Sequence, residues 1–274
     1  MLFIYGKKAL GRNIQGADYI YLTYLFTLNR CDLRHIGEEK DYFKVVTSDG
    51  VFLYMRKYPS SDAQVLHQIW TEKEYEIVTN HIRENFAGKK LRIVDAGANV
   101  GYSSLYLFSR LKQDYDLEFI VIEPGENNLE MLKRNFEANG LPHYHIEKAG
   151  LFNKSCYLSI STDFRDGKDW SLRVEESAVR TDIKGLEVLD ILQKYAWEGI
   201  DFFKIDIEGS ERFLFEDERY ASRFLEKVGL ISIEIHDEFN LSGKIEKTLA
   251  DNNYDRFSHG EITVGYNRKF KRVK

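Results

Sequence analysis

The stretch "IVDAGANVGYSS", residues 93–104, decides the fold. An apolar run ends in Asp95, a turn of small residues follows, and the turn opens into a helix-like pattern. This reads as a strand, a tight loop and a helix N-terminus, the unit on which α/β sheets hold nucleotides. Three loop types compete for it. A P-loop needs Gly-Lys-Ser/Thr to hold phosphates and Mg²⁺, and this loop has no lysine. A dinucleotide fingerprint needs G-x-G-x-x-G. Gly97 supplies the first glycine, but Asn99 and Tyr102 occupy the second and third positions, and Tyr102 would obstruct close helix–strand packing. What remains is an acid followed by two glycines with an asparagine between them: Asp95, Gly97, Asn99 and Gly101.

That pattern suits a ligand with a nucleoside and an amino-acid end but no phosphate. S-adenosyl-L-methionine is such a ligand. Gly97 lacks a Cβ and would let the backbone approach the nucleoside. The helix start after Gly101, beginning at Tyr102, offers N–H groups and a positive dipole end to a carboxylate. Asp95 would attract the α-ammonium, directly or through water. Asn99 tolerates left-handed backbone better than other non-glycine residues, and its amide can donate toward the carboxylate. Glu123 ends the next strand in "VIEPG" and can accept from both ribose hydroxyls. Its competing reading is an acid at the start of the helix "ENNLEML". On the ribose reading, Glu123→Ala weakens ligand binding and leaves folding nearly unaffected. The cofactor-binding candidates are Asp95, Gly97, Asn99, Gly101, Tyr102, Glu123 and Asp206.

Outward from this loop, apolar strands alternate with helices. Strands are expected at 91–96, 118–123, 144–149, 201–207 and 230–236, with "YDRFSH" and "ITVGYN" as a closing pair. Helices are expected near 101–112, 126–139, 186–196, 210–226 and 240–251. Such alternation means a parallel sheet covered on both faces, with ligands beyond the strand C-termini. Asp95, Glu123, Asp206 and His236 all fall at or near those ends. Upstream, residues 1–30 read as helical. "YFKVVTSDGVFLYMRKY" (42–58) reads as a hairpin around Asp49-Gly50. Residues 68–86 read as a helix with Thr71 as N-cap and Glu74 three residues on. The expected organisation is an N-terminal helix and hairpin appendage over 1–66 and a ligand-binding α/β domain over 67–274.

Composition agrees with that organisation. The chain has 274 residues, 43% hydrophobic and 30% charged, enough for one large α/β domain plus an appendage. A net charge of −5 gives no general affinity for nucleic acid or acidic membranes. The last residues, from Arg268 to Lys274, are basic and read as a solvated tail. Cys31 and Cys156 form neither a disulfide framework nor a metal spacing, so a cytoplasmic, reducing setting is expected. Lys7 and Lys8 are followed by no signal-peptide pattern. The apolar stretch "YIYLTYLFTL" (19–28) is about half a membrane span. Packing on the main domain is expected for it, with a membrane-surface or homodimer contact as the alternative.

"VDAGANVGYSS", "VIEP" and "DFFKIDIEGSE" followed by "ISIEIH" together resemble the FkbM-type methyltransferases. The most specific element is K-I-D-x-E-G-x-E, matched by Lys204, Ile205, Asp206, Glu208, Gly209 and Glu211. "EYE" (74–76) and "LEVLDIL" (186–192) are also similar. The resemblance covers about residues 70–260. It implies a class I Rossmann-like fold, a seven-stranded, mostly parallel sheet with an antiparallel last strand. It also implies S-adenosylmethionine-dependent O-methyl transfer to a hydroxyl of a saccharide, glycan precursor or natural product. Two other classes stand against it: an RNA methyltransferase, which predicts a basic groove, and a non-catalytic donor-binding domain.

Methyl transfer is an in-line displacement that needs donor and acceptor held near attack distance and the hydroxyl proton removed. Lys204, Asp206 and Glu208 share one parity along their strand, and Glu234 and His236 share one along the next. His236 titrates near neutrality when unperturbed and is expected to take the proton. Asp206 is expected to orient donor or acceptor, and Glu208 to hold His236 or the acceptor. No metal is expected; the alternative has Asp206, Glu208, Glu234 and His236 holding a divalent ion. His143 and His145 read as a core or surface pair. Residues 152–185, with Arg165, Gly167, Trp170 and Arg173, read as either an acceptor-selecting lid or a plain β-excursion.

Overall fold

The computed structural model describes residues 30–31, 33–161, 173–236 and 240–270. The helix expected over 1–30, including the apolar stretch 19–28, lies outside the described residues except for Arg30, as do Arg165, Gly167, Trp170 and tail residues 271–274. Among the described residues, no helix is long and apolar enough to cross a membrane. The chain divides into two compact units, Met1–Lys73 and Glu74–Lys274.

In the first unit, β1 (Leu33–Glu38), β2 (Tyr42–Thr47) and β3 (Phe52–Arg56) form an antiparallel sheet in that order. The hairpin around Asp49-Gly50 is present, with Gly50 at φ +88°. Phe43 and Val45 on one strand, and Leu53 and Met55 on the other, are buried as the period of two requires. A short helix, Asp62–Leu66, runs into a π-helical turn, His67–Thr71. Its Asp62 is fully buried and accepts from the Arg56 guanidinium, with Nη2 at 2.7 Å, and from the Arg56 backbone N–H at 2.7 Å. The single helix expected over 68–86 is not formed. The turn ends at Thr71, Lys73 takes a left-handed φ of 57°, and a separate helix, Glu76–Asn85, starts behind Tyr75 without a side-chain cap.

The second unit is built on a seven-stranded sheet. Its strands are β4 (Lys90–Ala96), β5 (Asp116–Ile122), β6 (Tyr144–Glu147), β11 (Ile200–Ile205), β12 (Val228–Glu234), β13 (Tyr254–His259) and β14 (Ile262–Asn267), in the order β13-β14-β12-β11-β4-β5-β6. The pairs among β12, β11, β4, β5 and β6 are parallel; β14 runs antiparallel to both β12 and β13. This is the expected Rossmann-like α/β sheet with its last strand antiparallel. The central strands are apolar because both faces are covered: every residue of β11 is buried. Strand order reverses between β4 and β11, so their C-terminal ends open at the switch point where such sheets bind ligands.

Residues 149–161 and 173–186 leave this sheet as a β-excursion. Here β7 (Ala149–Leu151), β8 (Cys156–Ser161), β9 (Arg173–Glu176) and β10 (Ile183–Leu186) form a four-stranded sheet in the order β7-β10-β8-β9. Phe152, Leu158, Val174 and Ile183 give it a small core of its own.

Candidate functional site

At the switch point the backbone turns after Ala96 against the end of β11, where the Asp206 N–H donates to the Ala96 carbonyl at 3.1 Å. Gly97 has φ +78°, and a Cβ there would lie 1.6 Å from the Asp206 carbonyl oxygen. The neighbouring strand end therefore requires glycine here, whatever binds over the turn. Asn99 takes the left-handed conformation expected of it, φ 49°. Its Oδ1 is buried with no hydrogen bond. Gly101, at φ +82°, precedes the helix Tyr102–Leu111, and a Cβ on it would meet Phe136 Cε1 at 2.6 Å. The Tyr102 side chain is buried in the core.

The loop is anchored by a residue that the sequence reading left without a role. Lys204, buried on β11, donates from Nζ to the Gly97 carbonyl at 2.9 Å and pairs with Asp95 Oδ1 and Asp206 Oδ2, each at 3.2 Å. Burial pulls the ammonium's pKa down, but Asp206 and Asp95 outweigh it and hold the pKa above the usual lysine value. Asp95 has 0% exposure, and its Oδ2 accepts from Ser103 Oγ at 2.6 Å and Ser104 Oγ at 2.7 Å. A carboxylate so enclosed does not meet a ligand ammonium directly. It ties the first helical turn to Lys204. The signals for this knot were a lysine inside an apolar strand and the serine pair after Tyr102.

Glu123 is also buried, and it holds protein on both oxygens. Oε1 accepts from the Gly125 N–H at 2.8 Å and Asn128 Nδ2 at 3.0 Å, and Oε2 from the Asn99 N–H at 2.9 Å. Burial pushes its pKa up, and the bonds from Asn128, Gly125 and Asn99 act against that rise. A carboxylate offers about four lone-pair positions, so Oε2 retains one. The expected contact to both ribose hydroxyls narrows to one. This carboxylate joins the glycine turn to the helix Glu126–Asn139, so Glu123→Ala is expected to cost stability as well as any ligand contact.

The ends of β11 and β12 bring Asp206, Glu208, Glu211, Glu234 and His236 together. His236 Nδ1 lies 2.9 Å from Oε1 of the fully buried Glu211. Its Nε2 lies 3.4 Å from Glu208 Oε2 and 3.5 Å from Glu234 Oε1. Burial would lower the imidazole pKa, but Glu211, Asp206 and Glu208 override it and push the group up to about 10. In the absence of another cation, the surrounding carboxylates favour the protonated ring. Glu234 is pushed up to about 9 by burial and by Asp206, Glu74 and Glu261, against the lowering effect of His236. Tyr75, buried beside Glu74, Asp206, Asp95 and Glu234, stays protonated well above the ordinary phenol range, burial being the main cause. His143 and His145 lie away from this cluster as exposed side chains, each 4.0 Å from its own acid, Asp116 and Glu118. They are a surface pair.

Topology and strand-end chemistry define a doubly wound α/β protein with a cluster of acidic side chains at its switch point. Comparison with known proteins gives the family. The sequence profile of the methyltransferase FkbM domain matches residues 95–256, and the chain belongs to that methyltransferase family. Methyltransferase sdnD of Sordaria araneosa is 26% identical over 197 residues, covering 60% of this chain and 73% of the relative. Among solved structures, a methyltransferase FkbM from Methylobacillus flagellatus KT aligns with a TM-score of 0.43 at 20% identity, over 75% of this chain and 53% of that one. The chain thus spans about half the length of that protein. An rRNA methylase from Streptococcus thermophilus aligns with a TM-score of 0.41 at 9% identity, over 71% of this chain and 96% of that one.

Proposed function

We propose that the protein is an S-adenosyl-L-methionine-dependent O-methyltransferase acting on a hydroxyl of a saccharide, glycan precursor or natural product. The observation that carries this reading is the meeting, at one switch point, of a glycine turn and a partly exposed carboxylate group. The side chains of Asp206, Glu234 and Glu208 are 29%, 23% and 15% exposed, beside interior positions that are otherwise closed. Residues 67–274 would be the methyltransferase domain and residues 1–66 an appendage, the compact units themselves dividing after Lys73, and two free cysteines agree with a reducing, cytoplasmic setting.

The residues present fit the donor. Asn99 Oδ1 is an orphaned acceptor at the turn, and Glu123 Oε2 has one position for a ribose hydroxyl. The first turn of the helix Tyr102–Leu111 presents its positive dipole end, suited to the donor carboxylate. The donor, when bound, supplies an electrophilic methyl on a sulfonium centre. Lys204 and Asp95 keep the turn in place from beneath. Asp206 lies between the turn and the acceptor side and orients what binds there. Glu208, on the turn after β11, is placed to accept the hydroxyl proton in place of His236. The negative cluster favours a cationic donor over a phosphate-bearing one.

Calorimetry with S-adenosylmethionine, S-adenosylhomocysteine and NAD tests the donor. A panel of sugar and natural-product hydroxyls with methyl-labelled donor tests the acceptor. Binding of both adenosyl ligands and label transfer to a hydroxyl are expected. NAD binding with no response to either adenosyl ligand would overturn the reading.

A further inference from the structure

We propose that Asp206, Glu234 and His236 form a divalent-cation site at the ends of β11 and β12, on the acceptor side of the glycine turn. One ligand atom from each of these residues lies within 4.8 Å of the other two. Ligand atoms on a small divalent ion lie about 3 Å apart when adjacent and about 4.2 Å when opposite, so closure needs side-chain shifts of about an ångström. Two carboxylates and an imidazole leave about three positions of a six-coordinate ion for water or a hydroxyl.

A second observation is independent of the acids. His236 is 3% exposed, and its Nε2 is buried with no hydrogen bond. That atom points among the carboxylates at 3.4 and 3.5 Å, longer than a hydrogen bond requires. The other ring nitrogen, Nδ1, is held at 2.9 Å by the buried carboxylate of Glu211. A metal-binding histidine characteristically gives its second N–H to a carboxylate, which orients the ring and strengthens the ligand. Glu211 stands in that relation to His236, and Lys204 is already committed to Asp95, Asp206 and Gly97.

The catalytic use of this ion rests on the O-methyltransferase reading above; its binding does not. A cation here would hold the acceptor oxygen and lower the pKa of its hydroxyl. The proton would pass to Glu208. The oxygen–methyl bond would form as the sulfur–methyl bond breaks, its electron pair returning to sulfur.

The test is Mn²⁺ binding to the whole chain, read by electron paramagnetic resonance with no donor or acceptor present. One ion per chain is expected, with a Kd at or below about 10⁻³ M, the range of weak oxygen-rich sites. Asp206→Asn and Glu234→Gln should each abolish it, and Glu211→Gln should weaken it about 10–100-fold. A second measurement needs no variant in the site to fold. In the unaltered protein, Mn²⁺ should broaden the imidazole signals of one of the seven histidines, the one whose signals vanish in His236→Gln. The absence of saturable binding, its survival in both carboxylate variants, or broadening at another histidine would overturn the proposal. Failure of donor binding in calorimetry would instead overturn the methyl-transfer reading and leave the Mn²⁺ result standing.

Discussion

Two buried cations stand at neighbouring strand ends, and their surroundings differ. Lys204 has a named partner for each contact: the Gly97 carbonyl, Asp95 and Asp206 within 3.2 Å, with Ser103 and Ser104 completing Asp95. His236 has one short contact, to Glu211, and then Glu208 and Glu234 at 3.4 Å or more. Acids outnumber cations around His236, and its Nε2 makes no hydrogen bond. A matched buried cluster gives a rigid scaffold, whereas an excess of buried acid is costly unless a ligand completes it. On the proposed function, the first cluster serves structure and the second chemistry.

The sharpest way to break the comparison is Lys204→Met. It leaves Asp95 and Asp206 without their cation in a buried setting, where removing one partner costs about 3–5 kcal/mol. Urea denaturation should show that loss, and donor binding should fall with it because Gly97 is released. A variant of unchanged stability would mean that Asp95 finds another donor.

Glu208→Gln should do the reverse. The residue sits in the functional cluster on a turn, with its side chain partly exposed. Turnover should fall about 10²-fold, equivalent to about 2.7 kcal/mol, for loss of the proton acceptor. Unfolding should hardly change. Undiminished turnover in single-turnover assays would move the proton to Asp206 or to solvent.

How far these two clusters were readable from sequence follows from what each rests on. The strand–turn–helix at 93–104 was legible because apolar runs, glycines and strand-end acids are local patterns, and the sheet followed from their repetition. The split of 68–86 was not legible: its apolar spacing is helical on both sides, and only the left-handed Lys73 interrupts it. The β-excursion was read as a lid or an excursion because its core, Phe152, Leu158, Val174 and Ile183, joins residues distant in sequence. Asp206, Glu208 and His236 were correctly brought to one place. The bias of His236 toward its protonated form was not legible, because it depends on how many carboxylates surround the ring, and Glu211 reaches it from a different element. That Gly97 also makes room for the Asp206 carbonyl was not legible, since the two residues are far apart in sequence.

Glu123 lies between the two behaviours and sharpens the distinction. It is bonded to protein at three positions yet keeps one on Oε2. Glu123→Gln should therefore cost both stability, by about 1–3 kcal/mol for buried donors left unmet, and donor affinity. Thermal unfolding with and without S-adenosylhomocysteine separates the two. A stability loss with unaltered affinity would make the residue a helix-start acid alone.

The smallest effect tests how rigid the matched cluster is. Ser103 and Ser104 both donate to the same oxygen of Asp95, at 2.6 and 2.7 Å. Ser103→Ala or Ser104→Ala alone leaves that oxygen one donor, so each should cost only about 1 kcal/mol, the net worth of an ordinary hydrogen bond. The double variant leaves Oδ2 buried with neither donor, and its carboxylate then depends on Lys204 through Oδ1 alone. The combined loss should exceed the sum of the single losses by about 1 kcal/mol, as expected for groups that share one acceptor. A urea-denaturation cycle over the four proteins measures this coupling. Simple additivity would mean that the Lys204 ammonium swings to Oδ2 when the serines are gone, and that the knot beneath the glycine turn is adaptable rather than locked.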